Sequence, residues 1–106
     1  MKVLFRPEFW KDAEETMVYL AREASEPVAL RWRDAVMEAV ARIAENPGRG
    51  HLRRDLKPEG IRALSAPPFH RHLVFYIWNA EKKEIEFLRV KHGAMNLPIL
   101  FEPGKA

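Results

Sequence analysis

The chain contains no cysteine among its 106 residues. That absence excludes disulfide bonds, cysteine nucleophiles and thiolate metal sites together. Long apolar stretches are also missing, since no run approaches the roughly 20 residues that cross a bilayer. The N-terminal apolar run is interrupted at Arg6, Pro7 and Glu8, so it does not resemble a signal peptide. We therefore expect a soluble, cytoplasmic protein with no membrane partner.

The motifs of several common enzyme classes are missing as well. The sequence has no phosphate-binding or dinucleotide-binding glycine pattern, no HExxH and no Ser-His-Asp arrangement. His70 and His72 would share one face of a strand, but no carboxylate or thiolate follows at a spacing that would complete a metal site. We predict neither a cofactor nor a metal.

Length and composition indicate one folded domain over residues 1–106. Hydrophobic residues make up 47% of the chain, which argues against wholesale disorder. A chain of this length can bury a core of its own, although with little margin of stability.

The net charge of +3 conceals an asymmetry along the chain. Residues 1–46 carry 7 Lys/Arg and 9 Asp/Glu, a balance of −2, whereas residues 47–106 carry 11 and 6, a balance of +5. All four histidines also lie in the second part. Such a distribution suits a C-terminal half that meets polyanions or an acidic polypeptide, and it suits a solvated basic surface equally well.

The first half of the chain reads as a short strand and two helices. Lys2 to Arg6 is a strand candidate, and the apolar spacing that follows predicts a helix from Pro7 to Ala24. Its stripe comprises Trp10, Ala13, Met17, Leu20 and Ala24. Ser25 can cap a second helix, whose stripe comprises Ala29, Trp32, Val36, Ala39, Val40 and Ile43. The short link predicts an antiparallel hairpin whose tryptophans and methionines pack in the core; a ligand groove is the alternative.

The second half reads as a basic loop and three strands. Leu52 and Leu56 are expected to pin the loop of residues 47–60 to the body of the protein. Strands are predicted over residues 61–65, 69–78 and 84–92. In the last of these the apolar parity shifts between Phe87 and Leu88, which indicates a bulge or a strand buried on both faces. The order β-α-α-β-β-β predicts an α+β fold, with the helical hairpin packed on one face of a mostly antiparallel sheet.

The strand over residues 69–78 is apolar on both faces. One face carries Leu73, Phe75 and Ile77, and the other carries Val74, Tyr76 and Trp78. A strand that is half exposed would alternate apolar with polar residues. We therefore expect the second face to lie within the body of the protein or to be offered to a partner, and we favour the partner.

The basic strand ends permit one kind of catalysis without a metal. Cleavage of RNA through its 2′-hydroxyl needs a base, an acid and positive charge, which Arg62, Arg89 and His92 would supply. The alternative is structural: Arg89 pairs with a nearby Glu and His92 caps a turn. For each residue taken singly, the structural alternative carries at least equal weight.

Several motifs, in their order and spacing, resemble the ParE/RelE superfamily of bacterial toxins. The resemblance runs from about Val3 to Phe101. The similar segments are Asn46-Pro47-Gly48-Arg49-Gly50, Arg54-Asp55-Leu56, Gly60-Ile61-Arg62-Ala63-Leu64, Leu73-Val74-Phe75-Tyr76, Ile85-Glu86-Phe87-Leu88-Arg89-Val90-Lys91-His92-Gly93-Ala94 and Leu97-Pro98. Relatives often carry Arg-Asp where this chain has Met95-Asn96.

The resemblance implies the toxin of a type II toxin–antitoxin system, neutralised by an acidic antitoxin usually encoded beside it. ParE-like members poison DNA gyrase and are associated with plasmid stabilisation, whereas RelE-like members cleave mRNA on the ribosome. RelE-like ribonucleases commonly have a tyrosine or histidine near the C-terminus. Here the tail reads Asn96-Leu97-Pro98-Ile99, without tyrosine, which favours the ParE-like alternative.

The leading hypothesis is therefore a gyrase-targeting inhibitor that binds a protein and has no conventional active site. The alternatives are a metal-independent, ribosome-dependent mRNA endoribonuclease and a non-toxic basic nucleic-acid-binding domain. The residues predicted to bind the antitoxin are Arg54, Arg71, Val74, Tyr76, Trp78 and Arg89. Those predicted to bind the target are Ile99, Leu100 and Phe101.

Overall fold

The computed structural model describes residues 1–94 and 97–101, with two long helices packed on a five-stranded sheet. The elements in chain order are β1 (Lys2–Phe5), α1 (Pro7–Glu23), α2 (Glu26–Glu45), β2 (His51–Leu52), β3 (Ile61–Ala66), β4 (Phe69–Asn79), β5 (Glu84–His92) and α3 (Leu97–Leu100). Within the described ranges, no helix is long and apolar enough to span a membrane.

The sheet has the strand order β1-β5-β4-β3-β2. Its three pairs from β2 to β5 are antiparallel, and β1 lies parallel to β5. The predicted α+β class and the hairpin on one face are confirmed. The predicted order lacked the short strand β2 and the helical turn α3. Both are too short to show a repeating pattern of apolar residues.

The sequence signals at the helix starts act as expected. Pro7 occupies the first turn of α1, and the Ser25 hydroxyl accepts a hydrogen bond of 3.3 Å from the Val28 amide at the start of α2. The predicted stripe of α2 is buried throughout. Trp32, at its centre, retains 1% of its accessible surface.

The predicted stripe of α1 is wrong at its first position. Phe9 is fully buried, whereas Trp10 remains 47% exposed. The Phe9 ring lies 5.2 Å from the ring of Phe5 and 6.1 Å from that of Phe87, and those two rings stack on each other at 4.8 Å. This aromatic cluster anchors α1 to β1 and β5. Trp10 lies at its edge, with its ring 4.8 Å from that of Phe5 and 5.0 Å from that of Phe9, and so remains partly exposed.

Both faces of the sheet are covered, by different parts of the chain. The core beneath the hairpin comprises Phe9, Trp32, Ala35, Val36, Ala39, Val40, Ile43, Ala66, Val74, Tyr76, Ile85, Phe87 and Val90. The core on the opposite face comprises Leu56, Ile61, Ala63, Phe75, Leu88 and Leu97, with Leu73, Ile77 and Phe101 packed against it.

The expectation that Val74, Tyr76 and Trp78 offer an apolar face to a partner is wrong. Val74 and Tyr76 are fully buried beneath the hairpin, and Trp78 packs against the same core. The alternating sequence showed correctly that both faces are apolar. The opposite face of the sheet is covered by Leu56, from the loop after α2, and by Leu97, from the C-terminal tail. No local sequence pattern indicates that either residue packs on β4.

The predicted irregularity in β5 is confirmed. Phe75 pairs with Arg89 while the next residue of β4, Tyr76, pairs with Phe87, so Leu88 is the extra residue of a bulge. Phe87 is therefore buried in the core beneath the hairpin, and Leu88 in the opposite core. The bulge sets the register of the basic residues that follow.

Candidate functional site

A buried carboxylate organises the basic end of β5. Asp12 of α1 is 2% exposed and accepts hydrogen bonds from Nε and Nη2 of Arg89, at 2.8 and 2.9 Å. It also contacts Lys91 Nζ at 2.9 Å and accepts from the Val90 amide at 3.2 Å. Hydrogen bonding to Asp12 raises the pKa of Arg89 above its ordinary value, although burial opposes the shift.

The position of Asp12 follows from the length of β1. That strand ends at Phe5, opposite Phe87, so the edge of β5 beyond this point has no neighbouring strand. The Asp12 carboxylate then supplies the acceptor for the Val90 amide. The sequence analysis did not identify Asp12 as a buried residue. If the buried stripe of α1 begins at Phe9 instead of Trp10, Asp12 lies on the same helical face, because it follows Phe9 by three residues.

The structure does not bring the three predicted ribonuclease residues into contact with one another. Arg89 is bound to an acidic side chain, as the structural alternative expected, but the partner is Asp12 of α1 and not a Glu. Arg62 donates from Nη1 to the carbonyl oxygen of Gly50 at 2.8 Å. His92 Nδ1 accepts from the Ala94 amide at 3.0 Å and so caps the turn that follows β5, again as the alternative proposed.

Tyr76 serves as an internal support for the loop after α2. Its hydroxyl accepts from the Gly50 amide at 2.9 Å and donates to the Pro47 carbonyl at 2.7 Å. A Cβ at Gly50 would lie 2.6 Å from that hydroxyl, which explains the need for glycine there. Burial raises the pKa of Tyr76 above its ordinary value, against the Gly50 hydrogen bond and the nearby Arg62 and Arg49.

The basic loop after α2 leaves some of its charges at the surface. Arg54 is exposed, whereas Arg53 pairs with Asp55 through bonds of 2.8 and 2.9 Å. Leu56 pins the loop as predicted, but Leu52 does not, since it is 38% exposed. A cavity of about 270 Å³ lies beside these residues. Arg71, on β4, is also exposed.

Two histidines meet at the ends of β4 and β5. His72 and His92 are paired across the strands, with ring centroids 5.1 Å apart. With Glu15, Tyr19 and Lys91 they line a cavity of about 330 Å³. Burial, and secondarily the proximity of His92, lower the pKa of His72 below its ordinary value. His70, two residues before His72 on the same strand, is exposed and does not line this cavity.

The outer surface of the helical hairpin carries an apolar groove of about 430 Å³. Its exposed members are Trp10, Val18 and Met37, which retain 47%, 51% and 39% of their accessible surface. Glu14 and Arg33 lie on its margin. We call this surface the hairpin groove. Among the tryptophans of the predicted stripes, Trp32 packs in the core as expected, whereas Trp10 is partly exposed and lines this groove.

The tail partly covers the sheet. Leu97 is buried, and the Phe101 ring lies 5.2 Å from that of Phe75. Among the predicted target-binding residues, the side chains of Ile99 and Leu100 lie outside the described part of the structure. Met95 and Asn96 lie outside it as well.

Comparison with known proteins places the chain in a family. A model of the ParE toxin of type II toxin–antitoxin systems matches residues 3–97. The chain belongs to the ParE toxin family. It is a ParE-type toxin of a toxin–antitoxin system. A search of curated proteins found no match.

Solved structures share the ParE-family fold at low sequence identity. A chain of the chromosomal ParDE toxin–antitoxin system from P. aeruginosa is 17% identical, with a TM-score of 0.71 over 87% of this chain and 95% of that one. A YoeB/ParE toxin from Agrobacterium tumefaciens is 15% identical, with a TM-score of 0.58 over 87% and 98%. A chain of the intact E. coli RelBE toxin–antitoxin complex is 14% identical, with a TM-score of 0.57 over 89% and 98%.

Proposed function

We propose that this ParE-family toxin arrests growth by binding DNA gyrase and that it does not cut RNA. One observation carries the proposal: Arg89, the arginine best placed to stabilise a phosphorane, is held by two hydrogen bonds to the buried Asp12. Two of the five N–H donors of the guanidinium are thereby used, and the Asp12 carboxylate offsets its positive charge, which weakens its attraction for a phosphate. The proposal requires a cytoplasmic location, where gyrase acts.

The other residues of the ribonuclease hypothesis are engaged as well. Arg62 is bound to a loop carbonyl, and the Nδ1 atom of His92 accepts a backbone amide. The one tyrosine on the central strand, Tyr76, is fully buried and its hydroxyl both donates and accepts. General acid–base catalysis requires groups that can reach the reacting atoms. These contacts favour an inhibitor that acts by binding.

A supercoiling assay with purified toxin and gyrase tests the proposal. We expect supercoiling to fall as toxin is added and to recover when the product of the adjacent open reading frame is included. Codon-specific cuts in mRNA from a translating extract, together with full supercoiling at saturating toxin, would contradict it and establish the ribonuclease. Strongly salt-dependent binding to free DNA or RNA without either effect would establish the nucleic-acid-binding domain.

The antitoxin is proposed to lie in the hairpin groove. Relatives with the same fold are described as toxin–antitoxin systems or complexes, which supports an antitoxin partner. An amphipathic helix of that partner suits a groove with exposed Trp10, Val18 and Met37. Arg33 on the margin of the groove can meet a carboxylate of such a helix. The exposed Arg54 and Arg71, which do not line the groove, remain proposed contacts of other parts of the antitoxin. Val74 and Tyr76 are buried and are not part of this proposal. Phe101 remains a proposed contact with the target.

Two apolar side chains of similar size on α2, Met37 and Leu30, allow a matched test of the groove. Met37 lines the groove and Leu30 does not, yet both retain 39% of their accessible surface. Met37→Lys places a charge within the apolar contact, so we expect antitoxin binding to weaken by about tenfold or more, a loss of about 1.4 kcal/mol. Leu30→Lys should bind as the parent does. Equal affinities for the two variants, measured by calorimetry, would exclude the groove.

A further inference from the structure

The proposed toxin function assigns no role to the cross-strand pair His72 and His92. The two residues are direct partners in the β4–β5 register, and their rings lie 5.1 Å apart at 81°. Both line an open cavity beside α1, together with Glu15. A cross-strand pair is held by the sheet itself, so its spacing does not depend on a flexible loop.

The ring spacing fits a shared metal ion. A tetrahedral zinc ion binds imidazole nitrogens at about 2.0–2.1 Å, and two such ligands then hold their ring centroids about 5 Å apart. Neighbouring rings limit the freedom of His72. Trp32 meets it edge-on at 5.8 Å and Phe69 at 6.2 Å. The two imidazoles therefore already lie at the separation that one shared ion requires.

The local charges also permit a cation. Lys91 lines the same cavity, but its ammonium contacts Asp12, which also binds Arg89. Glu8 and Glu15 lie near enough to raise the pKa of Arg89 further, so the acidic side chains here offset the basic ones.

We propose that His72 and His92 form a binding site for a divalent transition metal of the zinc type. The described residues contain no group of three or more His, Cys, Asp or Glu arranged to hold a metal, so water completes the coordination and the affinity is modest. His92 binds through Nε2, which moves its proton to Nδ1. The hydrogen bond from the Ala94 amide is then lost to water, at small cost because Ala94 is exposed.

Zinc chloride titrated into tag-free protein, previously treated with a chelator, tests the site by calorimetry and thermal melting. We expect one zinc ion to bind each chain and the melting temperature to rise with zinc concentration, since a ligand of the native state stabilises it. His72→Gln and His92→Gln should each weaken binding by at least about tenfold, because one of two protein ligands is lost. His70→Gln, on the same strand but exposed, should bind as the parent does.

The parent protein provides a second measurement should either glutamine variant fail to fold. Carbethoxylation of histidines, mapped by mass spectrometry, should be blocked by zinc at His72 and His92 and should continue at His51 and His70. Absence of zinc binding by the parent would overturn the proposal. Equal protection of all four histidines, or unchanged affinity in His72→Gln and His92→Gln, would overturn it too.

Discussion

At the scale of single residues, the molecule depends on two buried polar side chains that bind backbone groups outside their own strand or helix. Asp12 completes the open edge of β5, and Tyr76 ties the loop after α2 to the central strand. Neither role has a sequence signature. A carboxylate on a helix usually faces water, and a tyrosine on an apolar strand gives no sign of which backbone groups its hydroxyl meets.

Asp12→Ala should destabilise the protein severely. The substitution leaves Arg89 and Lys91, whose side chains are each 14% exposed, without their common partner. Removal of one member of a buried ion pair costs about 3–5 kcal/mol. Asp34→Ala is the control, because Asp34 pairs with Arg33 at the surface, where its side chain is 70% exposed, and should cost about 0–1 kcal/mol. Urea unfolding of both variants gives the comparison; similar losses would refute the role of Asp12.

Tyr76→Phe isolates the loop support. The phenylalanine fills the same space but leaves the Gly50 amide and the Pro47 carbonyl without their partner. An unsatisfied buried group costs about 1–3 kcal/mol. Tyr19→Phe, at a position 61% exposed, should leave the free energy of unfolding unchanged. If Tyr76→Phe matches the parent in urea unfolding, water replaces the hydroxyl and the loop does not depend on it.

At the scale of elements, the periodicity of the sequence predicted features local to one helix or strand. It did not predict which distant residues pack against that helix or strand. The stripe of α2 and the bulge at Leu88 follow from local spacing, and both are confirmed. The choice between Phe9 and Trp10 depended on an aromatic cluster with residues 5 and 87, which is a long-range contact. The cover of the second sheet face by Leu56 and Leu97 is long-range in the same way.

Trp32→Ala tests the attachment of the hairpin to the sheet. The indole is buried among both helices and the sheet, so its loss should leave a cavity and cost about 3–5 kcal/mol. Trp10→Ala removes the same side chain from a position 47% exposed and should cost much less. Melting temperatures compare the two variants, and Trp32→Ala should melt at the lower temperature. A Trp32 variant that melts within a few degrees of the parent would mean that the hairpin is held mainly by other contacts.

At the scale of the whole molecule, the basic end of the sheet is less available than the sequence suggests. The charge asymmetry between residues 1–46 and 47–106 is real, but α1 supplies Asp12 to neutralise part of it. The hairpin groove leaves apolar surface exposed at Trp10, Val18 and Met37. This distribution favours a protein that works by binding other proteins, and it could not be foreseen before the helices were placed on the sheet.

The rates of DNA and protein synthesis, followed together after the toxin is induced in growing cells, test the central claim most directly. A gyrase inhibitor should reduce incorporation of labelled thymidine first, while incorporation of labelled methionine continues. Co-expression of the antitoxin should abolish the effect. An immediate fall in methionine incorporation, with thymidine incorporation initially unchanged, would contradict the account and identify the toxin as an inhibitor of translation.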